Sequence, residues 1–290
     1  MVQILLGFLS TLLVYYLFFF IRDLFLHKTS LKKGSILTAS LIGLVTDFLD
    51  TLGIGSFAIT VVLLNMSKSL KKDHLLPGTL NVAHTMPIFV EAFIFTTTVK
   101  VEPTTLFSLV ISAIIGSLIG AKIVRKLSNE KVQLTMGVAL FLTGILMILK
   151  QLGWLNSLGL CNKAMQLKGV LLLVAVLINF ILGSLMTAGV GLYAPCMAMC
   201  YILGLNPIAA FPIMMSSCAG LMPVASVEFI KAENYSRITS LGIALGGVVG
   251  VIIATTLVKS ISLAVFTWII IVVVLYTSIT YLRKGLMSRV

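Results

Sequence analysis

Apolar residues run along the chain in long stretches separated by short polar clusters, most of them basic. The stretches cover residues 4–21, 36–66, 75–99, 104–121, 132–149, 169–204, 208–230, 238–258 and 261–282. About 20 such residues suffice to cross the hydrocarbon core of a bilayer. The pattern therefore predicts an all-α integral membrane protein. Two stretches do not fit a single crossing. At about 1.5 Å per residue, 36–66 would extend about 46 Å and 169–204 about 54 Å, against a core ~30 Å thick. Neither is long enough for two crossings and a turn. Each carries glycines near its middle, in Leu52-Gly53-Ile54-Gly55-Ser56 and in Ala188-Gly189-Val190-Gly191-Leu192. Glycine lets a backbone turn sharply. Both segments are expected to be broken or re-entrant helices that enter and leave on one face.

The basic residues test that expectation. If each broken segment returns to its own side and the other seven stretches cross, every Lys and Arg except Lys100, Lys150, Lys163, Lys168 and Lys259 falls on one side. Nine single crossings give a more even division. The positive-inside rule favours the first arrangement. It places the N-terminus outside and the C-terminus in the cytoplasm of a multi-pass protein of the cell membrane.

Composition agrees. Of the 290 residues, 59% are hydrophobic and 10% charged, whereas soluble domains carry roughly 25% charged residues. This excludes a soluble enzyme or a disordered chain. The net charge of +12 sits between apolar stretches, where it sets topology and attracts anionic lipid; no nucleic-acid partner is expected. Cys161, Cys196, Cys200 and Cys218 show neither disulfide nor zinc spacing. The opening Met1-Val2-Gln3-Ile4-Leu5 has no positive n-region, so residues 4–21 are expected to be a retained first span.

An internal repeat emerges on alignment. Gly53-Ile54-Gly55 matches Gly189-Val190-Gly191, and Met86-Pro87 matches Met222-Pro223 at the same offset. Gly116 and Gly120 match Gly246 and Gly250 at a slightly shorter one. The expected organisation is an N-terminal span and basic loop (1–35), a first repeat (36–150), an extracytoplasmic linker (151–168), and a second repeat with the cytoplasmic C-terminus (169–290). Each repeat is a broken helix followed by three crossings. An odd number of crossings inverts the second copy, and inverted repeats with broken helices are a secondary-transporter architecture.

Each half thus has a glycine break, a short helix, a Pro-containing helix and a helix with a four-residue glycine spacing. In the first half that last helix ends in basic residues, as Gly116-Ser117-Leu118-Ile119-Gly120-Ala121-Lys122-Ile123-Val124-Arg125-Lys126-Leu127. The pattern resembles the TauE/SafE family of sulfite exporters. The resemblance implies secondary active transport of small sulfur-containing or organic anions such as sulfite or sulfonates, by alternating access of two inverted bundles. It also implies export, proton coupling and association as a homodimer, with no cofactor.

An anion inside a membrane needs positive potential without many buried cations. Helix N-termini supply it. The half-helices expected to begin near Ser56 and Leu192 would face each other near the midplane. The residues expected to bind substrate are Gly53, Gly55, Ser56, Thr60 and Asn81 in the first half, and Gly189, Gly191, Tyr193 and Ser217 in the second. Thr51 and Thr187 could add hydroxyl donors. The competing reading makes the glycines packing residues. Buried ionisable groups are the other signal. Asp47 and Asp50, three apart on one helix face, and His84 form the expected proton-coupling set. Gly183 and Met186 are their expected counterparts, so the relay belongs to one half. Glu91 and Glu228 are expected near helix ends, paired with Lys100 and Lys231. Lys122, Arg125 and Lys126 read as topogenic, His27 as solvated, and Trp154, Trp268, Tyr15, Tyr16 and Tyr281 as interfacial anchors. Cys196 and Cys200 read as helix packing. Transport has two rivals, a membrane-embedded enzyme and a non-transporting assembly subunit. The chain has no phosphate-binding Gly-x4-Gly-Lys-Ser/Thr loop and no His-Glu-x-x-His pair.

Overall fold

A computed structural model describes residues 2–27, 35–52, 54–70, 72–98, 101–154, 157, 162–257 and 264–287. Helix α1 spans Val2–Leu26. A first series follows: α2 (Ile36–Thr51), α3 (Ser56–Met66), α4 (Leu76–Thr98), α5 (Pro103–Val124) and α6 (Asn129–Gln151). A second has the same order of long and short helices: α7 (Gly169–Met186), α8 (Tyr193–Ile202), α9 (Pro207–Lys231), α10 (Arg237–Leu257) and α11 (Ala264–Met287). Six helices among the described residues are long and apolar enough to cross a membrane. Their outer faces expose large apolar side chains such as Val14, Val170 and Leu173. With so few charges on that surface, lipid is the solvent that fits it.

The two long apolar stretches break where glycine was found. Helix α2 ends at Thr51 and α3 starts at Ser56, with Gly55 between them at φ +98°. Helix α7 ends at Met186, and Gly189 takes φ +100° before α8 begins. An L side chain is strained at such angles. The second break is the longer, running from Thr187 to Leu192.

The two series pack reciprocally. Helix α2 lies along α10, and α7 lies along α5; α4 pairs with α9 and α6 with α11. Small residues let the backbones touch. A Cβ at Gly43, Gly246 or Gly250 would strike the backbone of Ile243, Ser40 or Leu44; one at Gly183, Gly116 or Gly120 would strike that of Ala113, Phe180 or Ser184. The two sets are the same contacts seen from opposite series. They match Gly43 with Gly183 and Leu44 with Ser184. In this register the counterparts of Asp47 and Asp50 are Thr187 and Val190, which replaces the Gly183 and Met186 expected from the glycine breaks. The later breakpoint of α2 misled that alignment.

Contacts between loops define the two ends of the bundle. At one end Arg237 Nε donates to Asp23 Oδ2 at 2.6 Å, Arg125 pairs with Glu228 at 3.2 Å, and the His74 amide donates to Asn129 at 2.9 Å. Ile36 lies at this end too, beside Gly242. At the other end the Leu167 amide donates to Thr105 at 3.0 Å, and Asn162 donates to the Tyr201 carbonyl at 2.6 Å. So α2 and α3 start and finish at the first end, and α7 and α8 at the second.

Some expectations at the ends are corrected. Tyr16 and Tyr281 are buried rather than interfacial, and the Tyr16 hydroxyl donates to the Val82 carbonyl at 2.8 Å. Trp154, Trp268 and Tyr15 are exposed. Glu228 pairs with Arg125, while Lys231 lies over the Phe19 ring. His27 sits 3.1 Å from the Asp23 carboxylate rather than free in solvent. Cys161, Lys100 and Lys259 lie outside the described residues.

Candidate functional site

The two breaks meet at a cavity of about 50 Å³, several times the ~10–15 Å³ that one water requires. Its walls come from both: Asp50, Ile54, Gly55 and Ser56 on one side, Met186, Gly191, Leu192 and Tyr193 on the other. Thr143 and Met147 of α6 and Ile88 of α4 close it. Most of this lining is apolar, so water entering it is poorly held and a charge there is weakly screened.

Helices α3 and α8 point their N-termini at this cavity. Elsewhere in the bundle, Ser35, Glu102, Ser128 and Asn206 cap helices by accepting an amide hydrogen. The N-caps of α3 and α8 are Gly55 and Leu192, and neither makes a side-chain cap bond. Their first-turn N–H groups therefore remain to be satisfied by something else. On the α3 side that group is Asp50. It reaches over the break, and the hydroxyl of Ser56, the first residue of α3, donates to its Oδ2 at 2.7 Å. On the α8 side the hydroxyl of Tyr193, again the first residue, donates to Glu91 Oε2 at 2.8 Å.

Behind the cavity stands a buried polar chain. Asp47 Oδ1 lies 2.7 Å from His84 Nδ1, and His84 Nε2 lies 2.9 Å from the Thr60 hydroxyl. Asp47 Oδ2 has no protein partner. It faces Gly247 of α10, where a Cβ would strike it. The Thr51 hydroxyl is 2.7 Å from Glu91 Oε1 and 2.8 Å from the Asp47 carbonyl oxygen. Asp47, Asp50, His84 and Glu91 are all shielded from solvent. Ionisable groups in this setting are costly, since one unpaired ion at mid-membrane costs about 2.5–3.5 kcal/mol.

The expected site residues divide accordingly. Gly55, Ser56, Gly191, Tyr193 and Asp50 line the cavity. Thr60, Asp47 and His84 form the chain beside it. Gly189 shapes the break but packs against Met136. Asn81 donates to the Pro77 carbonyl, and Ser217 accepts from Asn179 at 3.1 Å; both are buried away from the cavity. Thr187 bonds the Ser184 carbonyl. Gly53 lies outside the described residues. Glu91 is the main correction. It was expected at a helix end beside Lys100, and it sits mid-helix between the two breaks. Its signal was in the sequence: it is seven residues from His84 on the same helix face, inside an apolar stretch where an ionisable residue is by default functional.

Comparison with known proteins gives one family finding. The model of the family described as Sulfite exporter TauE/SafE matches residues 1–147. That range takes in α1 to α5 and most of α6, with one of the two breaks. No curated protein and no solved structure matches the chain.

Proposed function

Because the chain belongs to the TauE/SafE sulfite exporter family, we propose that this membrane transport protein moves a small sulfur oxyanion, sulfite or a sulfonate, through the cavity between its two helix breaks, with a proton bound alongside it. The observation that carries this reading is that two helix N-termini without caps of their own open on one cavity, and that a carboxyl group occupies the place of an anion at the first of them. Helix N-termini bind oxyanions through free N–H groups and the helix dipole. A sulfite oxygen and the Asp50 carboxylate compete for the same end of α3. A proton on Asp50 removes its charge and leaves that end to the substrate. Anion and proton then bind together rather than in turn. We place the proton's store in the hydrogen-bonded chain of Asp47, His84 and Thr60 beside Asp50.

Export fits this charge count. One proton bound with dianionic sulfite leaves one net negative charge. An interior-negative potential pushes that charge outward with about 2.3 kcal/mol per 100 mV. The division of basic residues supports a cytoplasmic end carrying Lys68, Arg125 and Lys284. The matched helix order, the reciprocal glycine contacts and the opposite starting ends of α2 and α7 support an inverted pair of repeats.

The test is flux. Purified protein in liposomes should release loaded sulfite faster than protein-free liposomes, and an outward-driving potential should accelerate the release. Release no faster than from empty liposomes overturns the reading.

A further inference from the structure

We propose that Glu91 is a second proton-binding site, occupied in the conformation seen here, whose proton holds the first residue of α8 to the break between α2 and α3. The hydrogen bonds carry this. Tyr193 donates to Glu91 Oε2 at 2.8 Å. The Thr51 hydroxyl lies within bonding distance of two oxygens, Glu91 Oε1 and the Asp47 carbonyl. It owns a single hydrogen. If Thr51 donates to the carbonyl, the hydrogen between Thr51 and Oε1 belongs to Glu91. The line then runs without a clash: Tyr193 hydroxyl to Oε2, Oε1–H to Thr51, Thr51 to the Asp47 carbonyl. With Glu91 ionised, one of the two short oxygen pairs has no hydrogen in it, which is costly in a buried setting.

The surroundings agree. The groups facing Glu91 are Asp47 and Asp50 from α2, Tyr193 from α8 and Cys218 from α9. His84 is on its own helix, bonded to Asp47, and Lys150 of α6 acts on Asp50. No cation touches the carboxyl directly among these. Glu91 does for α8 what Asp50 does for α3, with the hydroxyl of the first helical residue as the link in both. It differs in tying the two breaks together, so its proton positions α8 over the cavity.

This inference rests on the transport reading for its purpose and on the hydrogen bonds for its existence, and two measurements separate them. The first is infrared spectroscopy of the purified full chain at neutral pH. The wild type should show the C=O stretch of a protonated carboxyl. That band should be lost in Glu91→Gln and shifted to higher frequency in Tyr193→Phe, which removes a bond to its oxygen. A band unchanged in Glu91→Gln, or no such band at all, overturns the proposal whether or not the protein moves sulfite. The second is the pH profile of sulfonate binding. Glutamine can accept from Tyr193 and donate to Thr51, so Glu91→Gln should still bind, while Glu91→Leu should not. Above the pH at which the wild-type carboxyl band disappears, where binding must return the proton to Glu91, the slope of log affinity against pH should be shallower by about one in Glu91→Gln. An unchanged slope also overturns the proposal. A protein that passes the infrared test and shows no sulfite flux overturns the transport reading alone.

Discussion

Asp47 and His84 form a buried pair, Oδ1 to Nδ1 at 2.7 Å, on two helices that the chain separates by the whole of α3. The second ring nitrogen reaches Thr60, so the imidazole is held at both ends. Asp47→Asn keeps an oxygen for His84 and should fold, yet the flux of a sulfonate of constant charge should lose most of its pH dependence. Asp47→Ala should in addition lower stability by about 3 kcal/mol, the lower end of the range for breaking a buried pair. Flux against pH in liposomes and thermal melting in detergent read the two effects. Unchanged pH dependence in Asp47→Asn removes the pair from proton coupling.

Anion binding should strengthen as the pH falls, because the substrate takes the end of α3 only when Asp50 is protonated. Sulfite itself changes charge near neutrality, so a simple sulfonate of constant charge is the cleaner probe. Its affinity for the wild type should rise with acidity. In Asp50→Asn the affinity should be less dependent on pH and close to the acid limit of the wild type. Binding that weakens on acidification would show that anion and proton compete.

The glycine contacts between α2 and α10, and between α5 and α7, should be equally intolerant. Gly246→Ala and Gly116→Ala each drive a methyl into a backbone carbonyl, of Ser40 and Phe180. Overpacking of this kind costs roughly 1–3 kcal/mol. Gly7→Ala meets nothing within 4 Å and should melt as the wild type does. A pair of variants with very different melting temperatures would contradict reciprocal packing.

Glu102 lies in the loop before α5, where its carboxylate accepts the Thr105 amide at 2.8 Å. That backbone bond holds the carboxyl below its ordinary value of 4.5. A lowered folded-state value means the cap stabilises above the unfolded value and is lost as the pH falls through the folded one. Glu102→Ala should lower stability by about 1 kcal/mol at neutral pH and by less in acid. Melting temperatures at neutral and acid pH, measured on both proteins, test the sign.

Much of this site could be read from residue patterns. The breaks followed from length: a stretch too long for one crossing and too short for two, with glycine at its centre, has few other solutions. Asp47, Asp50 and His84 stood out because charge in hydrocarbon is costly. Glu91 was misjudged because a carboxylate nine residues from a lysine looks like half of an ion pair, and only the fold shows that it faces Thr51 and Tyr193. Asn81 and Ser217 stand apart from the cavity for a related reason. A helix that contains proline is polar around the freed carbonyl, and whether those side chains look into a cavity or across to Pro77 and Asn179 depends on helix rotation. The two glycine breaks and the packed helix faces give registers about a turn apart, and the packed faces are visible only in the fold.

Reciprocal packing sets a timetable for biogenesis. Gly43 seats against Ile243, about 200 residues later in the chain, so α2 must sit in the bilayer without its companion for roughly 10–40 s of synthesis at ~5–20 residues per second. Until then its small-residue face has only lipid to lie against. Neither half can mature as a unit ahead of the other, and a ribosome stalled after α6 would leave behind a set of inserted helices whose closest neighbours have yet to be made.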